Sequence, residues 1–191
     1  ARRFRREARL LTKLDSPYAV KVLDFGTEAN LDFIVMEYVQ GQTLSAILEA
    51  AGPLEVERAL DIARQVARCL QDAQNAGIVH HDIRPSNIMV TPEGRVKVMD
   101  FGLAKRVTAE EEGQEITDAL TREGTTVGTL AYMSPEQLRG QPVDARADIF
   151  SFGIVLYEML TGIHPFRRAT LVETSKSILA EDPPLLTRYM E

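Results

Sequence analysis

Asp82, Asn87 and Asp100 are the residues of this sequence whose types and spacing could do chemistry together. Asp82 and Asn87 share one short stretch, HHDIRPSN, between two apolar runs, and Asp100 begins the triplet DFG at the end of a later apolar run. A carboxylate can accept a proton from a hydroxyl group, and carboxylate or amide oxygens can bind a hard cation such as Mg²⁺. The glycine after this second aspartate lets the backbone turn away. The pattern therefore indicates a site for Mg²⁺ and phosphate.

The composition is that of an ordinary globular protein, because 45% of the 191 residues are hydrophobic and 26% are charged. The formal net charge of −6 argues against a protein that binds nucleic acid by neutralising its phosphates. The single cysteine, Cys69, cannot form an internal disulfide, which is typical of a reducing cytosol. The longest apolar run, at residues 149–160, is too short to cross a bilayer, so we expect no membrane segment in this chain.

The predicted elements place the candidate residues around one turn. Apolar positions recur at helical spacing over residues 55–76, and Gly77 follows where a C-terminal cap is expected. Short runs rich in β-branched residues at 88–90 and 96–99 are joined by the turn Pro-Glu-Gly. Asp82 and Asn87 therefore lie in a turn between a long helix and a β-hairpin, and the second strand of that hairpin leads to the second aspartate. The other predicted elements are a helix at 2–14, strands at 19–25 and 32–39 joined by a turn at 26–30, a helix at 44–49, a long loop at 104–130, a buried apolar helix at 148–160 and a helix at 170–180.

The ordered set of motifs resembles the signature of eukaryotic-type protein kinases. The triplet HHD at residues 80–82, with Asn87 in register, resembles the catalytic loop H-R-D-x-x-x-x-N, and residues 100–102 match D-F-G. The stretch GTLAYMSPE at 128–136 resembles the substrate-facing loop and the A-P-E motif of that family. Each motif alone is weak evidence, but their order and spacing over nearly the whole chain are very specific. The stretch YMSPEQL is most similar to the corresponding sequence of bacterial serine/threonine kinases.

Four further positions match the same family. Glu7 matches the glutamate of the family's helix αC, and residues 35–39 resemble the strand and hinge that hold adenine, with Met36 as gatekeeper. Asp148 matches the buried aspartate that braces the catalytic turn, and residues 162–166 resemble the family's G-x-x-P-F.

The resemblance implies an α+β, protein-kinase-like fold, with a partial β-rich N-lobe at residues 1–39 and a mainly helical C-lobe at 40–191. It implies phosphoryl transfer from ATP to serine or threonine of a protein substrate, with Mg²⁺ as cofactor, in the cytoplasm. The parent protein could be anchored in a membrane outside this chain. Nucleic acid is not an expected partner. Self-phosphorylation is expected at Thr125 or Thr126, which precede the substrate-facing loop.

The resemblance also implies a role for each candidate residue. Asp82 would orient and deprotonate the substrate hydroxyl, and Arg84 takes the place of a lysine that touches the γ-phosphate. Asn87 and Asp100 would hold Mg²⁺ on the ATP phosphates, and Thr129 would support the first aspartate. The residues expected to contact or support the nucleotide are Met36, Glu37, Val39, Met89 and Glu7.

The sequence departs from the family pattern at both ends and in the catalytic loop. The glycine-rich loop and the strand lysine that pairs with Glu7 would precede residue 1, and the family's last helices would follow residue 191. We therefore expect a fragment of a longer protein with little or no activity alone. His81 stands where the family usually has an arginine that grips a phosphate on the activation loop. Because histidine is only partly charged near neutral pH, we hypothesise that loop phosphorylation controls this kinase weakly, or only when His81 is protonated.

Two rival functions remain open. The first is a pseudokinase or scaffold that binds partners without catalysis. Retention of Asp82, Asn87 and Asp100 argues against it, whereas the missing N-terminal strands and His81 keep it open. The second is a small-molecule phosphotransferase of related fold, which the S-P-E motif disfavours. A histidine-based zinc site is also disfavoured, because adjacent side chains diverge and only one further histidine, His164, exists.

Overall fold

The computed structural model describes residues 11–29, 31–101 and 130–189. The predicted helix at 2–14 is described only from residue 11, and the chain has left the helix before Ser16, as the Asp-Ser-Pro sequence predicts. The predicted loop at 104–130 lies outside the described residues except for its last position.

The first sheet is a two-stranded antiparallel hairpin, as predicted, with different strand ends. Strand β1 covers Val22–Glu28 and strand β2 covers Leu31–Met36. Gly26, Thr27 and Glu28 belong to β1 rather than to the turn, which corrects the sequence prediction. The Thr27 hydroxyl donates to Asp32 Oδ1 at 2.5 Å. This cross-strand bond supports strand pairing beyond the predicted end of β1, so the turn is shorter than predicted.

The second sheet includes the strand that begins where the catalytic turn, residues 80–87, ends. Its strands β3 (Gln42–Thr43), β4 (Ile88–Val90) and β5 (Val96–Val98) are antiparallel and lie in that order. The hairpin of β4 and β5 confirms the prediction, whereas β3 was missed because two residues are too few to show alternation. The segment before β1 also bonds to β5, since the Val98 N–H donates to the Tyr18 carbonyl at 2.7 Å.

The described helices are α1 (Leu44–Ala51), α2 (Val56–Asn75), α3 (Pro135–Leu138), α4 (Ala145–Thr161) and α5 (Leu171–Ala180). The helices predicted at 44–49, 55–76, 148–160 and 170–180 are confirmed within a few residues, and α3 was missed. No helix in the described ranges is long and apolar enough to cross a membrane.

The core lies where α2 packs against α4 and beneath the second sheet. The buried face of α2 includes Ile62 and Val66, and α4 contributes Val155 and Met159. Gly77 has a φ of 70° and follows α2 where the cap was predicted. The predicted buried helix is confirmed in α4, although Ile149 near its start is 59% exposed. The chain that leaves α2 enters the catalytic turn directly, so the core positions that turn.

Candidate active site

A buried carboxylate on α4 braces the catalytic turn. Asp148 is 4% exposed, and its two oxygens accept hydrogen bonds from the backbone N–H groups of His80 at 2.7 Å and His81 at 2.8 Å. Burial raises the pKa of Asp148 to about 6, although the two amides act to lower it. His81 has a φ of 66°, a conformation that side-chain-bearing residues rarely adopt. Asp148 therefore stabilises a strained turn, in the role that the resemblance predicts.

The imidazole of His80 joins this turn to the strand that leads to Asp100. Its Nδ1 accepts the backbone N–H of Asp82 at 3.2 Å, and its Nε2 lies 3.0 Å from the Met99 carbonyl. Because Nδ1 accepts, Nε2 carries the proton and donates to that carbonyl. Burial lowers the pKa of His80 to about 4, so the ring is neutral at physiological pH. His80 is therefore a buried structural residue of this turn.

Asp82 and Asn87 are brought into direct contact. The side-chain amide of Asn87 donates to the Asp82 carbonyl at 2.8 Å and to its Oδ2 at 3.0 Å. Asn87 is 3% exposed and ends a 3₁₀ turn, Pro85–Asn87, just before β4. Arg84 Nε lies 3.5 Å from the same Oδ2 of Asp82. The carboxylate is thus held by an amide and a guanidinium from its own turn.

Asp100 follows the end of β5 by two residues. Its φ of 58° lies in the left-handed region. The residue before it, Met99, donates its N–H to the Asn87 carbonyl at 2.9 Å. Partial burial raises the pKa of Asp100; the negative charge of Asp82 raises it further, whereas Arg84 lowers it. The two carboxylates therefore lie within electrostatic reach of each other.

This donor set fits Mg²⁺ held together with phosphate. With its amide nitrogen occupied, Asn87 keeps Oδ1 for a cation, with only a long contact of 3.4 Å from the Ser86 hydroxyl. Asp100 adds a carboxylate, and a divalent cation would relieve its repulsion with Asp82. In the described parts of the chain, no cluster of three or more His, Cys, Asp or Glu side chains could hold an ion by itself. The cation would need phosphate and water oxygens to complete its coordination, as Mg²⁺ commonly does.

The predicted adenine-binding residues lie on two elements that Lys97 connects. Met36 ends β2, and Glu37 and Val39 follow it in a segment between β2 and β3 that we call the hinge, residues 37–41. Met89 lies opposite Lys97 in the pairing of β4 with β5. Lys97 Nζ lies 2.6 Å from Glu37 Oε1, so its side chain reaches from this strand pair to the hinge.

A family model described as the protein kinase domain matches residues 1–187 of the chain. The chain belongs to the protein kinase family. The predicted membership of the serine/threonine kinases with bacterial likeness, and the predicted α+β fold, are both confirmed by the relatives and the solved structure that follow.

The kinase domain is 44% identical over 191 residues to the serine/threonine-protein kinase pkn3 of Myxococcus xanthus, covering 97% of this chain and 34% of that protein. It is 42% identical over 185 residues to the serine/threonine-protein kinase PknB of Mycobacterium tuberculosis, covering 95% of this chain and 29% of that protein. The chain therefore spans about a third of the length of these curated relatives. A crystal structure of Rad53 1-466 in complex with AMP-PNP aligns with a TM-score of 0.74 and 29% identity, over 94% of this chain and 43% of that one.

Gln137 is a residue of this kinase domain that the sequence reasoning missed. Its Nε2 donates to the His81 carbonyl at 2.9 Å, so the first turn of α3 supports the catalytic turn. Its Oε1 accepts the Ser134 N–H at 2.9 Å, and its N–H donates to the Ser134 hydroxyl at 3.3 Å. This reciprocal pair is a capping box, and the spacing S-x-x-Q could have revealed it.

Several predicted residues of the kinase domain lie outside the described residues. They are Glu7, Thr125, Thr126 and Thr129. Their roles remain predictions, and so does the hypothesis that His81 weakens control by phosphorylation of the loop.

His164 is a buried histidine whose protonation should affect the stability of the fold. Its Nδ1 accepts the backbone N–H groups of Phe166 at 3.2 Å and Arg167 at 3.0 Å, and its ring lies 4.9 Å from that of Tyr132, centroid to centroid. Burial lowers the pKa of His164 to about 4, and the nearby charge of Arg167 acts in the same direction. The folded protein therefore resists a proton that the unfolded chain accepts below its ordinary pKa of about 6.5.

We expect His164 to make the folded state less stable as the pH falls from about 6.5 to about 4. The variant His164→Asn keeps an acceptor near the Nδ1 position and removes the titrating group. Its free energy of unfolding should change less over this interval, by about 3 kcal/mol relative to wild type. Urea unfolding of both proteins across the interval measures this difference, since His80 and Asp148 titrate alike in both. Equal pH dependence would show that His164 is not held neutral by burial.

Proposed function

We propose that the protein containing this chain transfers the γ-phosphoryl group of ATP to serine or threonine side chains of proteins, with Mg²⁺ as cofactor. The observation that carries the proposal is the convergence of Asp82, Asn87 and Asp100 on one region. Asn87 contacts Asp82 directly, and the charges of Asp82 and Asp100 influence each other. The names of the similar proteins from Myxococcus xanthus and Mycobacterium tuberculosis support the serine/threonine specificity.

Asp82 is the residue we assign to the substrate hydroxyl. The hydrogen bond from Asn87 Nδ2 and the guanidinium of Arg84 fix the orientation of its carboxylate. A carboxylate oriented in this way can accept the hydroxyl proton as the phosphoryl group is transferred. We assign Arg84 the contact with the γ-phosphate, because a guanidinium keeps the positive charge of the lysine that it replaces.

Asn87 and Asp100 are the residues that would hold Mg²⁺. The cation, when bound, neutralises charge on the ATP phosphates. Asp100 is positioned by the hydrogen bond from the Met99 N–H to the Asn87 carbonyl, so one backbone contact sets the spacing of both ligands. Catalysis of this kind depends mostly on positioning and charge, which agrees with the extensive bracing of the turn.

The remaining assignments belong to the same proposal. Met36, Glu37, Val39 and Met89 would surround the adenine ring, Glu7 would support the phosphate-binding lysine of the whole protein, and Thr129 would support Asp82. Thr125 or Thr126 is the proposed site of self-phosphorylation. We also propose that the domain works in the cytoplasm, because a single buried cysteine, Cys69, suits a reducing compartment.

The proposal is tested with the full-length native protein, γ-labelled ATP, Mg²⁺ and a generic protein substrate, followed by identification of the labelled amino acid. Phosphoserine or phosphothreonine is the expected product. Binding of ATP without any transfer would favour the pseudokinase, and transfer only to small molecules would favour the phosphotransferase. Omission of Mg²⁺ is the matched control and should abolish the label.

A further inference from the structure

One ion pair ties the hinge to the strand that leads to Asp100. Lys97 Nζ lies 2.6 Å from Glu37 Oε1, and the side chains are only 23% and 31% exposed. The same Oε1 accepts the backbone N–H of Lys21 at 2.9 Å, and the Glu37 N–H donates back to the Lys21 carbonyl at 2.9 Å. Lys97 Nζ also donates to the Ala19 carbonyl at 3.2 Å. Three segments of the chain therefore meet at these two side chains.

The position of Lys97 in β5 explains this reach. Its neighbours Val96 and Val98 are buried on one face of the sheet, so Lys97 projects from the other face, beside Met89 of β4. The strand continues through Met99 to Asp100. A lysine in this place connects the hinge to the same strand that carries a proposed Mg²⁺ ligand.

The electrostatics favour a persistent pair. Burial alone would raise the pKa of Glu37, but hydrogen bonds from Lys97 and from the Lys21 N–H lower it overall. Glu37 therefore stays ionised at neutral pH. An exposed ion pair contributes little because water screens it, whereas this one is partly buried and shares its oxygen with a backbone amide.

We propose that Lys97 is a positioning residue that acts through Glu37 to fix the hinge backbone and thereby sets the affinity for ATP. The inference rests on the proposed function and assigns a new role within it. The Glu37 N–H is bonded to Lys21, so the Glu37 carbonyl and the Val39 backbone would face the adenine ring, and we expect their direction to depend on the anchored side chain of Glu37. Without Lys97, Glu37 would keep its two hydrogen bonds with the Lys21 backbone, one to its side chain and one from its N–H.

The surroundings allow a clean substitution. The pair borders an open cleft of about 740 Å³, whose lining also includes Tyr18, Tyr38 and Thr91. Because the cleft is open to solvent, loss of the ammonium group leaves no enclosed cavity. The variant Lys97→Met keeps the aliphatic stem and is expected to fold.

The matched control is Arg95→Met, two residues before Lys97 and directly before β5. The side chain of Arg95 is 78% exposed and its Nη2 lies 3.9 Å from Glu93. The substitution therefore removes one positive charge without changing a contact of the hinge. In the full-length protein, Lys97→Met should raise the KM for ATP about tenfold, the equivalent of one charge-assisted hydrogen bond, while kcat changes less than about twofold. Arg95→Met should leave both constants within about twofold, and Lys97→Arg should restore most of the affinity.

Nucleotide affinity is also measured directly, by titration with a fluorescent ATP analogue. A weaker affinity in Lys97→Met and a recovered one in Lys97→Arg support the positioning role even if the wild type transfers no phosphate, which would overturn only the proposed function. An unchanged affinity in Lys97→Met overturns the inference. A higher kcat at unchanged KM also overturns it, because the pair would then restrain motion rather than position the hinge. Should Lys97→Met fail to fold, Glu37→Gln, which keeps an acceptor and removes the charge, must show a raised KM, and a normal KM overturns the inference.

Discussion

Replacing Asp148 with alanine is expected to lower the free energy of unfolding by about 3 kcal/mol, since two hydrogen bonds to a charged acceptor are lost. The backbone N–H groups of His80 and His81 lose their partner, and the strained φ of 66° at His81 is no longer held. Urea unfolding of the native protein and its variant measures the loss. Phosphoryl transfer should fall below detection, because Asp82 follows this turn directly.

Asp144→Ala is the control for this prediction, since it removes another aspartate from the start of the same helix. The side chain of Asp144 is 58% exposed and caps α4 through the Arg146 N–H. Loss of such a cap costs about 1 kcal/mol and should leave the transfer rate unchanged. If the two variants lose equal stability and keep equal activity, Asp148 does not brace the catalytic turn.

Replacing Asp100 with asparagine is expected to lower kcat by about 10²–10³, the range for loss of one electrostatic group at a reaction centre. The variant keeps the size of the side chain but removes the carboxylate that we assign to Mg²⁺. The concentration of Mg²⁺ needed for half-maximal rate should rise as well. Initial rates across a Mg²⁺ titration measure both effects in the full-length protein.

The exposed Asp61 on α2 provides the matched control, because among the described residues its carboxylate pairs with its helical neighbour Arg64 at 2.6 Å. Asp61→Asn should match the wild type at every Mg²⁺ concentration. An Asp100→Asn variant that also matches the wild type would exclude Asp100 as a metal ligand.

The elements around the site could be predicted because they depend on local patterns. The helix α2 follows from its apolar period and from Gly77, and the hairpin of β4 and β5 follows from two short β-branched runs. The catalytic motifs were recognisable because their residues are close in sequence, as with Asp82 and Asn87. These signals need no knowledge of long-range contacts.

The bracing of the site could be predicted only in part. The resemblance indicated Asp148, but no local pattern encodes the positive φ values of His81 and Asp100, and the hydrogen bond from the His81 N–H to Asp148 joins distant parts of the chain. The ion pair of Lys97 with Glu37 joins residues far apart in the chain. The alternation of residues around Lys97 predicts only that its side chain lies on the face opposite Val96 and Val98. It does not predict that Glu37 is its partner.

The central claim is that this chain is the catalytic core of a serine/threonine kinase in which Asp82 serves the substrate hydroxyl. Its most direct test is the rate of phosphoryl transfer from ATP and Mg²⁺ to protein serine or threonine by the full-length protein, measured beside its Asp82→Asn variant. We predict transfer by the wild type and a rate about 10²–10⁴ lower in the variant, with ATP still bound by both. Equal rates in the two proteins, or no transfer by a folded wild type that binds ATP, would contradict the claim.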